Sequence, residues 1–442
     1  MANILVEGGN PLVGTVRTSG AKNSILKLIP AALLCNEDVV FDNVPRIENL
    51  EADLEIVRQL GGKVEWLGSN KLLVNGSSIN TFEIPYELGH KNRTAPLYAA
   101  PLVFRFGKAV VPFPGGCKIG PRPINRWVDV WEALGILVKN DDKFIYLDGQ
   151  NLNASSINFQ RITHMGTDMA VIFSAFANGE TIINNAAQEP EVDDLMEFIN
   201  LLGGSAERLE PTRIKVTGRK QFSGASFTVQ PDRNEVVTYA VAALVTNGNI
   251  TIKGVNRAHL LSFVNVLTKI GAKFEIGDDE MRIWRSGEDL LPVDITTAPA
   301  PGFMTDWQPL ITLLLTQVFG ESTVYDTIYW DRFGYTVDLN RMGAKINLIT
   351  PAEAGLEAVI NDDTYDLEKL GEPKNVAKIM GKTPLRGTKL YVPDLRAGAT
   401  LVIAALAAEG KSEIVGFENV TRGYEDFISK LTGLGANIST LE

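Results

Sequence analysis

Residues 178–206 read Asn178-Gly179-Glu180-Thr181-Ile182-Ile183, then Met196, Ile199 and Leu202 at helical spacing, then Gly203-Gly204 and Ala206. The glycine turn followed by β-branched residues predicts a strand. Apolar residues seven, four and one before Gly203 share one helix face, and the glycine is a natural helix stop. Three residues further on, Ala206 opens a second strand. The phrase recurs six times, ending at Gly61, Gly135, Gly203, Gly271, Gly343 and Gly435, with intervals of 74, 68, 68, 72 and 92 residues. Four residues before each glycine stands Val57, Trp131, Ile199, Leu267, Leu339 or Leu431. Each unit is preceded by an Ala/Leu-rich stretch such as 31–34 or 401–408, apolar nearly all round, which suits a helix buried at a domain centre. Units this long exceed the roughly 20–45 residues of a solenoid repeat. Six of them divide most simply into two domains of three. The excess in the last interval falls in 351–387, rich in Gly, Pro, Lys and Asp, and is expected to be a surface insertion.

Composition narrows the class of function. The 442 residues carry 42 Lys+Arg against 53 Asp+Glu, a net charge of −11, with 45% hydrophobic residues. That mix argues for a folded chain, and the negative charge argues against a nucleic-acid surface or an anionic-membrane patch. Two cysteines form no disulfide framework and fit a reducing, cytoplasmic setting. With three histidines and no metal-ligand spacing, no metal site is expected. No apolar run reaches the roughly 18–20 residues of a membrane span, and no secretory signal is expected.

Charge within the repeat is informative. The loop between strand and amphipathic helix holds Arg46, Arg122, Arg257, Arg332 and Arg422 in five of six units, and Glu189 with Glu191 in the third. An acidic chain with arginines in register is suited to bind phosphate or carboxylate if those loops converge on a cleft; each arginine could equally cap a helix or pair with a neighbouring acid. In the second unit the loop reads Pro114-Gly115-Gly116-Cys117-Lys118-Ile119-Gly120-Pro121-Arg122-Pro123. Lys118 and Arg122 favour a reactive thiolate or a poised acid at Cys117, whereas Cys35 sits in an apolar helix as filler. Ser19-Gly20-Ala21-Lys22-Asn23 places an ammonium and an amide where a helix begins. Asp306 precedes an apolar run and could be an N-cap or an active carboxylate. Asp232, in Pro231-Asp232-Arg233, suits a hinge or a binding element.

With these residues the chain resembles the enolpyruvyl transferases, within them those that act on UDP-N-acetylglucosamine. The resemblance runs end to end and rests on 19–23, 114–123, Glu189-Pro190-Glu191, Pro231-Asp232-Arg233, Thr305-Asp306, Arg332-Phe333, Arg341-Met342-Gly343-Ala344, Asp394-Leu395-Arg396 and Arg422-Gly423-Tyr424-Glu425. It implies an α/β (α+β) fold of two inside-out α/β domains, each of three βαβαββ-type repeats around buried helices. The first domain would span 22–231 and carry the Cys117 loop; the second would span 1–21 and 232–442. The implied reaction transfers the enolpyruvyl group of phosphoenolpyruvate to the sugar 3-hydroxyl with release of phosphate, the first committed step of peptidoglycan precursor synthesis. No cofactor is implied. The partners implied are the small-molecule substrates phosphoenolpyruvate and UDP-N-acetylglucosamine, with no nucleic acid and no membrane insertion. Cys117, Asp306, Lys22 and Arg396 would be catalytic, with Cys117 as acid and Asp306 as base. Lys22, Arg93, Arg122, Arg332, Arg396 and Arg422 would hold phosphoenolpyruvate. Asn23, Arg122, Pro123, Ile124, Asn125, Arg161, Thr163, Asp306 and Ile328 would hold the acceptor. Asp232, Glu189 and Asp394 would serve the hinge and domain junction.

The chain departs from the family pattern on the nucleotide side. Asn125 and Trp127 stand where an Asp and a His are usual, and His164-Met165 brings bulk where the family's loop has small residues. The same transfer to another nucleotide or sugar acceptor is therefore an open alternative. A catalytically silent, nucleotide-sugar-binding regulatory paralogue is a third reading. The retained Cys117, Asp306 and arginines weigh against it.

Overall fold

The computed structural model describes residues 3–115, 124–362 and 365–441. These fall into two compact units, one of 20–115 with 124–230 and the other of 3–19 with 231–441. Each has its own hydrophobic core.

The Ala/Leu-rich stretches form six buried helices. They are α1 (Lys22–Ala32), α2 (Ala99–Phe106) and α3 (His164–Ser174) in the first unit, and α4 (Arg233–Val245), α5 (Gln308–Leu315) and α6 (Leu395–Ala407) in the second. All thirteen residues of α4 are buried. Such a helix has no wet side, so its polar groups must find partners inside. Thr238 Oγ1 donates to the Asn234 carbonyl at 2.8 Å, and Asn234 Oδ1 accepts from Trp307 Nε1 at 2.9 Å. Small residues such as Ala240, Ala242 and Ala243 let α4, α5 and α6 approach one another.

Around the helices lie six sheets, three to a unit. In one of them strand Asn249–Lys253 runs antiparallel to Glu280–Trp284, with Ile250 opposite Ile283, and parallel to Val13–Arg17. Its side chains alternate between the core and the outer face, as a half-buried strand requires. Strand Asn3–Glu7 lies between Lys411–Val415 and Asn437–Leu441, so the chain's start completes the second unit. The fold is mixed α/β, with helices inside and sheets outside in three repeats per unit.

The six phrase-ending glycines all adopt positive φ, from +75° at Gly271 to +108° at Gly343. That is the left-handed helix stop that glycine provides without a Cβ penalty.

The expected insertion at 351–387 needs correction at its far end. Val376–Gly381 is a strand paired with both Gly320–Tyr325 and Ile346–Ile349, and Val376, Ala377 and Ile379 are fully buried. The surface excursion therefore ends before Val376. It is tied down where Tyr325 Oη accepts from Val359 N–H at 2.6 Å and Trp330 Nε1 donates to Asp362 at 3.2 Å.

Candidate active site

In the second unit the sequence-predicted residues gather around one carboxylate. Asp306 lies in a 3₁₀ turn, Thr305–Trp307, that leads into α5. The capping position of that turn is Met304, which makes no side-chain cap bond. Asp306 instead receives Arg332 Nη2 on Oδ1 at 3.0 Å and Arg396 Nε on Oδ2 at 3.4 Å. Both guanidiniums are buried. Burial works against the Arg332 charge, but Asp306, Asp394 and Asp326 outweigh it and hold the group above its ordinary pKa. Arg332 Nε and Arg396 Nη1 are buried donors that meet no hydrogen-bond acceptor among the described residues. Desolvated donors left over after one carboxylate is served are suited to a second anion.

A second carboxylate, Asp326, builds the scaffold and was not singled out from sequence. Its Oδ1 accepts from Thr297 Oγ1 at 2.9 Å and from the N–H groups of Ile328 and Tyr329 at 3.0 and 3.1 Å. Its Oδ2 accepts from Thr305 Oγ1 at 2.7 Å, and that oxygen accepts from Arg332 Nη1 at 2.7 Å. Asp326 thus fixes the loop bearing Ile328 and Arg332 and the turn bearing Asp306. Burial pushes its carboxyl upward even so.

Two of the residues expected at the domain junction cap helices. Asp232 accepts from Asn234 N–H at 2.7 Å at the start of α4. Asp394 accepts from the N–H groups of Arg396 and Ala397 at 3.0 and 3.1 Å at the start of α6. The Asp394 cap sets the first turn from which Arg396 reaches Asp306, its guanidinium 5.2 Å from the Tyr424 ring. Arg422 is half-buried, directly after the turn Glu418–Thr421.

The first unit carries the other expected residues. Lys22 and Asn23 open α1. Arg93 lies 4.6 Å over the ring of Trp127, which is buried. Its neighbours Asn92 and Thr94 both hydrogen-bond the wholly buried Asp53 of helix Glu48–Gln59, so Asp53 determines where Arg93 sits. Burial raises the Asp53 carboxyl well above the ordinary range, with Thr94 and the Lys22 charge opposing. A lone Asp on the apolar face Leu50, Leu54, Val57 was the available sequence signal. Thr163 caps α3, accepting from Gly166 N–H at 3.3 Å, and Arg161 stands exposed just before it. Ile124 and Asn125 begin helix Asn125–Ala133, and Glu189 is buried at the cap position of Pro190–Leu201. Arg46 serves its own loop, donating to the carbonyls of Ser69 and Gly68 and stacking on Trp66. Cys117, Arg122 and Pro123 lie outside the described residues.

A cluster that pairs one carboxylate with two guanidiniums and keeps further donors in reserve can bind a small anion and then use the carboxylate. Among the described residues no group of three or more metal-ligating side chains occurs, and no helix is long and apolar enough to cross a membrane.

Residues 6–431 match the family model described as EPSP synthase (3-phosphoshikimate 1-carboxyvinyltransferase). UDP-N-acetylglucosamine 1-carboxyvinyltransferase 3 of Caldanaerobacter subterraneus subsp. tengcongensis is 37% identical over 438 residues, 99% of each chain. UDP-N-acetylglucosamine 1-carboxyvinyltransferase 2 of Bacillus subtilis is 35% identical over 99% of this chain and 96% of its own. Among solved structures, the enolpyruvyl transferase NikO from Streptomyces tendae superposes with a TM-score of 0.85 at 25% identity, covering 99% of both chains. EPSP synthase from Acinetobacter baumannii shares the fold at a TM-score of 0.72 and 14% identity over all of both chains.

Proposed function

This chain belongs to the EPSP synthase family and, within it, to the UDP-N-acetylglucosamine 1-carboxyvinyltransferases, and we propose that it transfers the enolpyruvyl group of phosphoenolpyruvate to the 3-hydroxyl of UDP-N-acetylglucosamine. The observation that carries the site assignment is the Arg332–Asp306–Arg396 cluster with two buried donors that meet no acceptor among the described residues. In this reading the donors receive the carboxylate or phosphate of phosphoenolpyruvate, together with Lys22, Arg93, Arg122 and Arg422. As the guanidiniums turn to the incoming anion, Asp306 is released to take the proton from the acceptor hydroxyl. The hydroxyl oxygen bonds to the central carbon of the enol while Cys117 gives a proton to its methylene, forming a tetrahedral ketal. Loss of a proton from that methyl and of phosphate restores the double bond as an enol ether. A positioned acid and a positioned base contribute about 10²–10⁴-fold each, and the cations stabilise charge on the departing phosphate. The product would enter peptidoglycan precursor synthesis in the cytoplasm, and the two units would be the family's two domains.

Phosphate release on mixing the protein with phosphoenolpyruvate and UDP-N-acetylglucosamine tests this reading. One phosphate per enolpyruvyl sugar is expected. Release with a different nucleotide acceptor alone would favour the alternative raised by Asn125, Trp127 and His164-Met165. No release with any acceptor would favour the silent paralogue.

A further inference from the structure

The excess length of the last repeat interval lies in the second unit, between strands Ile346–Ile349 and Val376–Gly381. None of its described residues from 352 to 372 is buried, and its two short helical turns, Ala352–Ala354 and Leu367–Leu370, add nothing to the core. A segment that buries so little of itself contributes little through the hydrophobic effect. What it touches is the run from Tyr325 to Trp330, which leads from strand Gly320–Tyr325 to Arg332.

Three contacts follow one another along that run. Tyr325 Oη donates to the Glu357 carbonyl at 3.0 Å and accepts from Val359 N–H at 2.6 Å. Asp326 N–H donates to the Asn375 carbonyl at 3.0 Å, and Asn375 Nδ2 donates back to the Asp326 carbonyl at 2.9 Å. Trp330 Nε1 donates to Asp362 Oδ2 at 3.2 Å, and its ring meets that of Tyr365 edge-on with 5.0 Å between centroids.

These outer contacts complement the inner ones. Asp326 Oδ1 holds the N–H groups of Ile328 and Tyr329 from inside the unit. Trp330 comes next, gripped from outside, and Arg332 follows two residues later. The Arg332 guanidinium is held at its tip by Thr305 and Asp306. Those tip contacts must loosen if the guanidinium is to serve a second anion. A hold on the neighbouring backbone that does not involve Asp306 keeps the arginine in place through that exchange, and such positioning is what a binding step depends on. Asp362 and Tyr365 provide a hold of that kind.

We propose that Trp330 and Asp362 are positioning residues for phosphoenolpyruvate: the excursion grips Trp330 so that Arg332 keeps its place while its guanidinium passes from Asp306 to the incoming anion. The inference rests on the reading above that Arg332 receives phosphoenolpyruvate.

Steady-state kinetics of the full chain test it. Trp330→Phe keeps a ring against Tyr365 and loses the N–H, and Asp362→Ala loses the acceptor. Each should raise KM for phosphoenolpyruvate about fivefold, as loss of one hydrogen bond does. KM for UDP-N-acetylglucosamine should change less than about twofold, because Asp326 still holds Ile328. Asp362→Asn keeps an oxygen acceptor and should stay within about twofold of wild type. Trp330→Phe combined with Asp362→Ala should be no worse than either alone, since both remove the same bond. General destabilisation would instead lower kcat through the active fraction and leave KM alone. A phosphoenolpyruvate KM unchanged in both single variants, equal rises in both KM values, or strictly additive losses in the double variant overturns the inference while the wild-type reaction stands. A wild-type protein that releases no phosphate from phosphoenolpyruvate with any acceptor overturns the proposed reaction, and this inference with it.

Discussion

Arg332 donates to Asp306 across 3.0 Å from a side chain only 1% exposed, and under the proposed reading that contact would decide when the carboxylate can act. A carboxylate holding two buried guanidiniums is a poor base until another anion draws them away. Under that reading, an order of events would be built into the site. Asp306→Asn keeps the shape and an oxygen for Arg332 but cannot take a proton. Phosphate release should fall at least about 10²-fold, and the melting temperature should drop as well, because two buried cations lose one of their neighbouring carboxylates. Activity within tenfold of wild type would assign the base elsewhere.

The two cysteines should differ sharply in reactivity. Cys35 is buried, and burial pushes its thiol up. Cys117 stands in a glycine-rich sequence, followed directly by Lys118 and five residues on by Arg122. An epoxide-bearing phosphonate should add once per chain, on the peptide containing Cys117, as peptide mass spectrometry would report. Modification of Cys35 first would contradict the assignment of the reactive thiol.

Asp194 gives a pH dependence whose sign can be worked out. Its carboxyl accepts from Ser24 Oγ at 2.6 Å, and burial pushes it up to about 7 from an ordinary 3.8. Between those two values the folded chain keeps a proton that the unfolded chain has lost, so this group's contribution falls as pH rises and its cost is complete above about 7. Asp194→Asn does not titrate. Its melting temperature relative to wild type should therefore be higher at pH 8 than at pH 5, by about 3 °C or more. An equal difference at both values would show that Asp194 is ionised throughout.

A buried ion pair anchors the chain just before it enters the first unit. Glu235 of α4 accepts from Ser19 N–H at 3.0 Å and from Lys430 Nζ at 3.0 Å, and Lys430 also donates to Ser19 Oγ at 2.6 Å. Lys430→Met leaves Glu235 buried without its cation and should cost about 3–5 kcal/mol in denaturant unfolding of the second unit. Adding Glu235→Gln, which still accepts from Ser19, should restore at least half of that loss. Strictly additive losses would mean that the two side chains are not coupled.

How much could be read in advance follows from the range of each interaction. The six helix stops were legible at Gly61, Gly135, Gly203, Gly271, Gly343 and Gly435 because each depends on its own glycine and the apolar residues one, four and seven before it. The buried helices were legible because an all-apolar helix has no other place to go. The end of the surface excursion was not. Gly, Pro and Lys recur in sequence as far as Gly387 and mask the short apolar run, and only pairing with Gly320–Tyr325 and Ile346–Ile349 turns Val376–Gly381 into a strand.

The sequence by itself determined the repeat, the fold class and the list of chemically capable side chains, because periodicity, turn chemistry and residue type are local properties. Tertiary structure decided what those side chains do. Asp394 and Asp232 became helix caps and Asp306 did not, because Arg332 and Arg396 arrive from 26 and 90 residues away to occupy its carboxylate. Asp53 became the anchor of the Arg93 turn, and Lys27 the partner of Asp168 and His164, through contacts spanning 41 and 137 residues. No local pattern encodes such pairs. They form because a buried charge or donor must be matched by whatever polar group the packed helices bring within reach.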